Sequence, residues 1–225
     1  MAKTKTSFYC TACGSELAKW AGQCPDCKAW NTVEEFRQAA VAGVSRMSGY
    51  TGSTNQQVTE LSSVSDQKVA RISIGIQELD RVLGGGIVPG SVILIGGDPG
   101  IGKSTLLLQV LGGLLEQLKC LYISGEESLQ QINMRARRLG LDVGSLRCLT
   151  ETSVEQILNV AEKEKPGLLV VDSIQTLHSE LVQSAPGSVS QVRESAAGLV
   201  RYAKQKNCAM VLIGHVTKDG ALAGP

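Results

Sequence analysis

The stretch GGDPGIGKST, residues 96–105, constrains the fold more than any other part of the chain. It follows an apolar run, Val92–Ile95, and opens a helical pattern over Lys103–Leu118. Gly97, Asp98, Pro99, Gly100, Ile101, Gly102, Lys103 and Ser104 fit the spacing G-x-x-x-x-G-K-[ST]. Glycines there permit positive φ and let backbone N–H groups approach phosphate oxygens. The positive end of the following helix faces the same anion. Lys103 is expected to reach the β- and γ-phosphates of a nucleotide, and the Ser104 hydroxyl to ligate Mg²⁺. Thr105 offers a second hydroxyl. Such a loop needs a strand before it and a helix after it, which predicts an α/β fold.

The rest of the chain from residue 69 agrees. Apolar runs at Cys120–Ile123, Leu168–Val171 and Met210–Ile213 alternate with helical patterns at Ser128–Leu139, Ser153–Lys163 and Val189–Lys206. Alternation of this kind predicts right-handed crossovers and a mostly parallel sheet covered on both faces. Ligands of such sheets sit at the carboxyl ends of the strands. Asp172 directly follows Leu-Leu-Val-Val, where a carboxylate can hold Mg²⁺ together with Ser104; it could also cap the turn that follows. Glu126 and Glu127 follow the second run. Glu126 is the candidate to orient the attacking water and Glu127 the alternative, although acids in a first helical turn also favour the dipole. His215 ends the last run, as a γ-phosphate sensor or as a structural histidine.

Charge says little about partners. The 225 residues carry 22 Lys and Arg against 21 Asp and Glu, a net charge of +1, so any nucleic-acid contact must come from local patches. No apolar run approaches the roughly 18 residues that a membrane helix needs. The start, MAKTKTSFYC, has lysines but no apolar segment of a secretory signal, so a cytoplasmic chain without a disulfide framework is expected. The spacing Cys10-x2-Cys13-x10-Cys24-x2-Cys27 then reads as two knuckles closing a tetrahedral Zn²⁺ site, structural because no ligand position stays open. A redox pair would sit singly at a helix start. Lys3, Lys5, Lys19, Lys28, Trp20 and Trp30 would suit nucleic acid; protein contact or core packing is equally compatible with the tryptophans. Cys120, Cys148 and Cys208 read as buried small side chains. The expected division is a four-cysteine module over 1–33, a polar linker over 34–68 with a short helix at Val33–Ala42, and the core over 69–225. The chain stops in a loop, as a fragment would.

With these motifs, "IGIQELDRVLGGGIVPGSVILIGGDPGIGKSTLLLQV", "YISGEES", "VVDSIQT", "SAPGSVSQVRE" and "GHVTKDGALAGP" give a chain that resembles the bacterial RadA (Sms) family over nearly its whole length. That family is described as DNA repair and recombination ATPases with a RecA-like core. The resemblance implies a RecA-like P-loop NTPase preceded by a zinc module. It implies a hexameric ring that binds single-stranded DNA, works beside RecA recombinase and drives branch migration of recombination intermediates. It places Lys103, Ser104 and Asp172 at the Walker positions, Glu126 at the water-activating glutamate and His215 at the sensor. Ser179–Arg193 falls where a first DNA-binding loop is expected, mobile and thinly charged, and Thr217, Lys218 and Asp219 begin a second. Arg135, Arg137 and Arg138 would meet DNA, a neighbouring subunit or solvent. The family's Lys-Asn-Arg-Phe-Gly motif and Lon-protease-like domain do not occur in these residues, so nucleotide binding with weak hydrolysis is expected. A nucleotide-gated binding module is the competing reading. A KaiC-like regulator is another, on "GIQELDRVLGGGIVPG", and the zinc module argues against it.

Overall fold

A computed structural model describes residues 6–12, 15–17, 19–37, 60–63 and 70–215. Thirteen elements carry the architecture. Strands β1 (Thr6–Cys10), β2 (Glu16–Leu17) and β3 (Val33–Arg37) form a small antiparallel sheet in the order β2-β1-β3. The larger unit runs α1 (Gln77–Val82), β4 (Val92–Gly97), α2 (Lys103–Leu114), β5 (Cys120–Ser124), α3 (Leu129–Arg138), β6 (Arg147–Thr150), α4 (Val154–Glu164), β7 (Leu168–Asp172), α5 (Val189–Lys206) and β8 (Ala209–His215). Its five strands are parallel in the order β4-β8-β7-β5-β6.

Burial on both faces explains the continuous apolar runs. Alternate residues of a strand point to opposite faces. Leu169 and Val171 of β7 pack with Ile157 of α4 and Leu199 of α5. Leu168 and Val170 pack on the other face with Leu107, Leu108 and Leu111 of α2. Each such large side chain, fully buried, contributes about 2 kcal/mol of apolar transfer free energy. Ser128, Ser153 and Ser188 start α3, α4 and α5 by accepting from the backbone N–H three residues on, which fixes where each helix begins relative to its strand.

Three expectations need correction. Val33–Arg37 is a strand, not the start of a helix: it pairs with β1 from Cys10↔Val33 to Thr6↔Arg37, so a non-local ladder overrides its local pattern. The remainder of that segment lies outside the described residues. Helix α2 ends at Leu114 rather than Leu118, soon after the poor helix formers Gly112 and Gly113. Strand β6 has no counterpart in the sequence reading, because its four residues, Arg147–Thr150, hold only two apolar side chains between two exposed polar ends. Among the described residues, no helix is long and apolar enough to cross a membrane.

Candidate nucleotide site

The strand order brings the ends of four strands together. Gly97 at the end of β4 lies in register with His215 of β8, and Asp172 of β7 with Ser124 of β5. Asp172 and His215 therefore lie with Gly97 and Ser124 along one carboxyl edge.

On β4 the loop turns through Gly100 (φ +81°) and Gly102 (φ +106°), backbone that L side chains rarely adopt. Gly102 is the left-handed N-cap of α2 and offers no side chain to the first helical turn. Those N–H groups are thus available to an anion. Asp98, Pro99, Gly100, Ile101 and Gly102 are exposed, and Ser104 and Thr105 are half-buried. Lys103 is only 8% exposed. Its ammonium donates to the carbonyls of Gly97 (2.6 Å) and Asp98 (2.8 Å), curled under the loop it follows.

Asp172 is 5% exposed and accepts a hydrogen bond from the Tyr122 hydroxyl at 2.6 Å. Among the described residues no cationic side chain pairs with it. A buried carboxylate facing only a neutral donor is costly unless a cation joins it. Two hard oxygen donors, this carboxylate and the Ser104 hydroxyl, are the donor set that suits Mg²⁺. The residues present fit that ion.

The turn after β7, Ile174–Thr176, packs directly on Gly125. The Gly125 N–H donates to the Asp172 carbonyl at 2.8 Å. A Cβ on Gly125 would stand 2.8 Å from Thr176 Cβ, so only glycine admits this approach. The approach puts Ser173 against Glu126: its fully buried hydroxyl donates to Glu126 Oε1 at 2.6 Å. The His215 ring donates through Nε2 to the same oxygen at 3.1 Å. Glu126 remains 41% exposed. Partial burial pushes its carboxyl up, but Ser173, His215 and the nearby Lys103 charge outweigh that and hold it below its ordinary value of 4.5. Glu127 turns the other way and pairs with Arg135 of α3. Gln175 donates to the His215 carbonyl at 3.3 Å, tying the same turn to the end of β8.

Of the loop expected over Ser179–Arg193, residues 189–193 are the start of α5, and residues 179–188 have neither helix nor strand but are pinned. Gln191, 2% exposed, accepts from the Ser179 N–H (2.8 Å) and donates to the carbonyls of Val182 (2.8 Å), Ser184 (2.9 Å) and Ser179 (3.3 Å). The Ser179 hydroxyl donates to Glu155 at 2.7 Å. The loop presents Leu181, Gln183, Pro186 and Gly187 to solvent in a set shape. Thr217, Lys218 and Asp219 lie outside the described residues. Of the three arginines on α3, Arg137 and Arg138 are exposed and Arg135 is committed to Glu127.

In the small sheet, the sulfurs of Cys10, Cys24 and Cys27 lie within 4.8 Å of one another, with Cys10 and Cys27 3.6 Å apart. The second knuckle turns through Lys28 in a left-handed conformation (φ +61°), its N–H donating to the Cys24 carbonyl at 3.0 Å. Cys13 lies outside the described residues. A cluster of thiols closed by such a turn fits a soft, tetrahedral ion, Zn²⁺. Trp20 (63%) and Trp30 (69%) are exposed, which removes core packing as their role. Cys120 and Cys208 are buried, and burial pushes their thiols up to about 11 and about 12, so they are inert.

A family model described as an AAA domain matches residues 57–221, most of the chain and the whole carboxyl edge of the large sheet. The chain belongs to the AAA domain family. Ahead of the AAA domain, a model described as a rubredoxin metal binding domain matches residues 8–35, the segment that carries the cysteines. The chain is 58% identical to a DNA repair protein RadA of Haemophilus influenzae over 228 residues, covering all of this chain and 50% of that protein. It is 57% identical to DNA repair protein RadA of Escherichia coli (all of this chain, 50% of that protein) and 49% identical to that of Bacillus subtilis (all of this chain, 50% of that protein). The chain thus spans about half the length of the curated relatives it matches. Within the AAA domain, sequence reasoning passed over Tyr122, Ser173, Gln175 and Gln191. Only Ser173, next to Asp172, carried a signal, by its position.

Proposed function

We propose that this chain is the ATP-binding and hydrolysing part of a single-stranded-DNA-binding motor of recombination and repair. Its similarity to proteins named DNA repair protein RadA supports that reading. The observation that carries it is the placing of Glu126. One oxygen of this carboxylate is held by Ser173 and His215, the other has no hydrogen-bond partner among the described residues, and the Lys103 charge acts on the group.

ATP binds with its phosphates on the N–H groups of residues 97–105, and Lys103 exchanges the Gly97 and Asp98 carbonyls for phosphate oxygens. Ser104 and Asp172 hold Mg²⁺, which when bound neutralises charge building on the phosphates. Glu126 orients water and accepts its proton. Neutralised, it holds the His215 ring less firmly, and His215 passes that change along β8 to the residues after it. The pinned loop 179–188 and the segment around Thr217, Lys218 and Asp219 contact DNA through hydroxyls, amides and backbone N–H groups. The zinc module takes in the whole small sheet through Arg37, past the boundary at 33 expected from the sequence, and residues 69–225 are the motor core. The partners are branched recombination intermediates, RecA recombinase and further copies of the chain in a ring.

The test is fluorescence anisotropy of a labelled single-stranded oligonucleotide with ATP, with ADP and without nucleotide. Affinity should be higher with ATP than with ADP. Gln191→Leu, which fills the same space but releases the loop, should weaken DNA binding about tenfold, roughly 1.4 kcal/mol, with ATP binding unchanged. Equal DNA affinity in all three nucleotide states would overturn the coupling.

A further inference from the structure

Tyr122 is the central residue of β5. It sits mid-strand, fully buried, among the apolar side chains that α2 and α3 lay on the sheet. A phenylalanine would fill that place equally well. A buried phenol needs a partner for its hydroxyl, and this one reaches across to the next strand and donates to Asp172 Oδ2.

We propose that Tyr122 is a positioning residue for the magnesium carboxylate: it holds one oxygen of Asp172 so that the other faces the metal's water shell. The proposal rests on the reading of Asp172 as a Mg²⁺ group. Its logic lies in the neutrality of the donor. An arginine or lysine on Oδ2 would orient the carboxylate and cancel the charge that attracts the ion. A phenol orients it and leaves the charge whole. A tyrosine hydroxyl is a neutral donor, and here its one hydrogen is committed to Asp172 Oδ2. The other charged groups near it, Glu127 and Arg135, are paired with each other. The contact is internal to two adjacent strands, so the carboxylate is aimed before any nucleotide arrives. Outer-shell hydrogen bonds of this kind set ligand orientation at metal sites.

The experiment is calorimetric titration of ADP into the chain at a series of Mg²⁺ concentrations, for the unsubstituted chain, Tyr122→Phe and Asp172→Asn. Tyr122→Phe should raise the Mg²⁺ concentration for half-maximal enhancement of ADP binding by about tenfold, the low end for loss of an outer-shell partner. ADP affinity without Mg²⁺ should be unchanged. Asp172→Asn should raise the Mg²⁺ requirement at least as much. A Tyr122→Phe chain that unfolds at lower temperature but keeps the Mg²⁺ midpoint would overturn the proposal, leaving the hydroxyl a merely satisfied core group. If Asp172→Asn leaves the midpoint unmoved, the reading of Asp172 fails and the proposal with it. Should Tyr122→Phe not fold, the chain labelled with fluorotyrosine decides. The Tyr122 resonance should move when Mg²⁺ is added to the ADP complex, and a resonance that stays fixed overturns the proposal.

Discussion

Glu126→Gln should lower the rate of ATP hydrolysis by about 10²- to 10⁴-fold, the range set by loss of a positioned general base. Nucleotide affinity should hold, because the glutamine keeps the shape and still accepts from Ser173 and His215. A fall in turnover without a change in ATP binding is the signature of a group needed only in the transition state. Glu127→Gln makes the control. That side chain faces Arg135 instead of the loop, so its loss should show in the unfolding temperature before it shows in turnover. The pH profile gives a second check. The folded Glu126 carboxyl lies below its ordinary value, so its ionised form, and the stability its contacts add, are complete above about pH 4.5 and lost as pH falls through the lower folded value. Turnover should show no acid limb from Glu126 near neutrality. An acid limb between pH 6 and 7 that vanishes in Glu126→Gln would contradict this placement.

Removing zinc should unfold the small sheet and leave the large one standing. Among the described residues the small sheet buries Cys10, Cys24 and Val33, with Phe8 and Leu17 packed against them, and two of those three belong to the thiol cluster. No apolar core is left to hold a segment of that size once the ion is gone. Binding free energies of about 10–16 kcal/mol in small zinc modules show how far the ion can dominate. The chain offers a selective reporter. Its two tryptophans, Trp20 and Trp30, both lie in this module, so tryptophan anisotropy follows the module alone. A strong chelator, or Cys24→Ser, should collapse that signal while ATP binding at residues 97–105 persists. Retention of the signal after complete zinc removal would show that the module folds without the metal.

What could be read from the sequence divides along physical lines. Strands β5, β7 and β8 announce themselves because burial on both faces demands unbroken apolar runs bounded by polar residues, while β4, a partly buried edge strand, is legible from the phosphate-loop spacing that follows it. The serine caps fix α3, α4 and α5 to within a residue of the reading. Exposed polar ends hid β6, and β3 was masked by a pairing with residues more than twenty positions away. At the site, spacing places Lys103, Asp172 and His215 on one edge but cannot separate two adjacent glutamates. Their difference comes from Ser173 and Arg135, brought in by the β7 turn and by α3. Tyr122 is hidden for a related reason. In an apolar run a tyrosine reads as a large core side chain, and only the register of β5 on β7 shows that its hydroxyl meets Asp172. Gln191 falls in the stretch Ser179–Arg193 expected to be a mobile loop, and its burial is decided by residues 179–184 folding back over it.

The measurement closest to the central claim is ATP hydrolysis by this chain with Mg²⁺, with and without single-stranded DNA, against Lys103→Ala as the blank. Weak hydrolysis that DNA stimulates and that the substitution abolishes is expected, since Lys103 is the buried cation of the loop and its charge acts on Glu126. Hydrolysis that persists in Lys103→Ala, or that is indifferent to DNA, would contradict a site in which nucleotide and DNA loops act through the same strand ends.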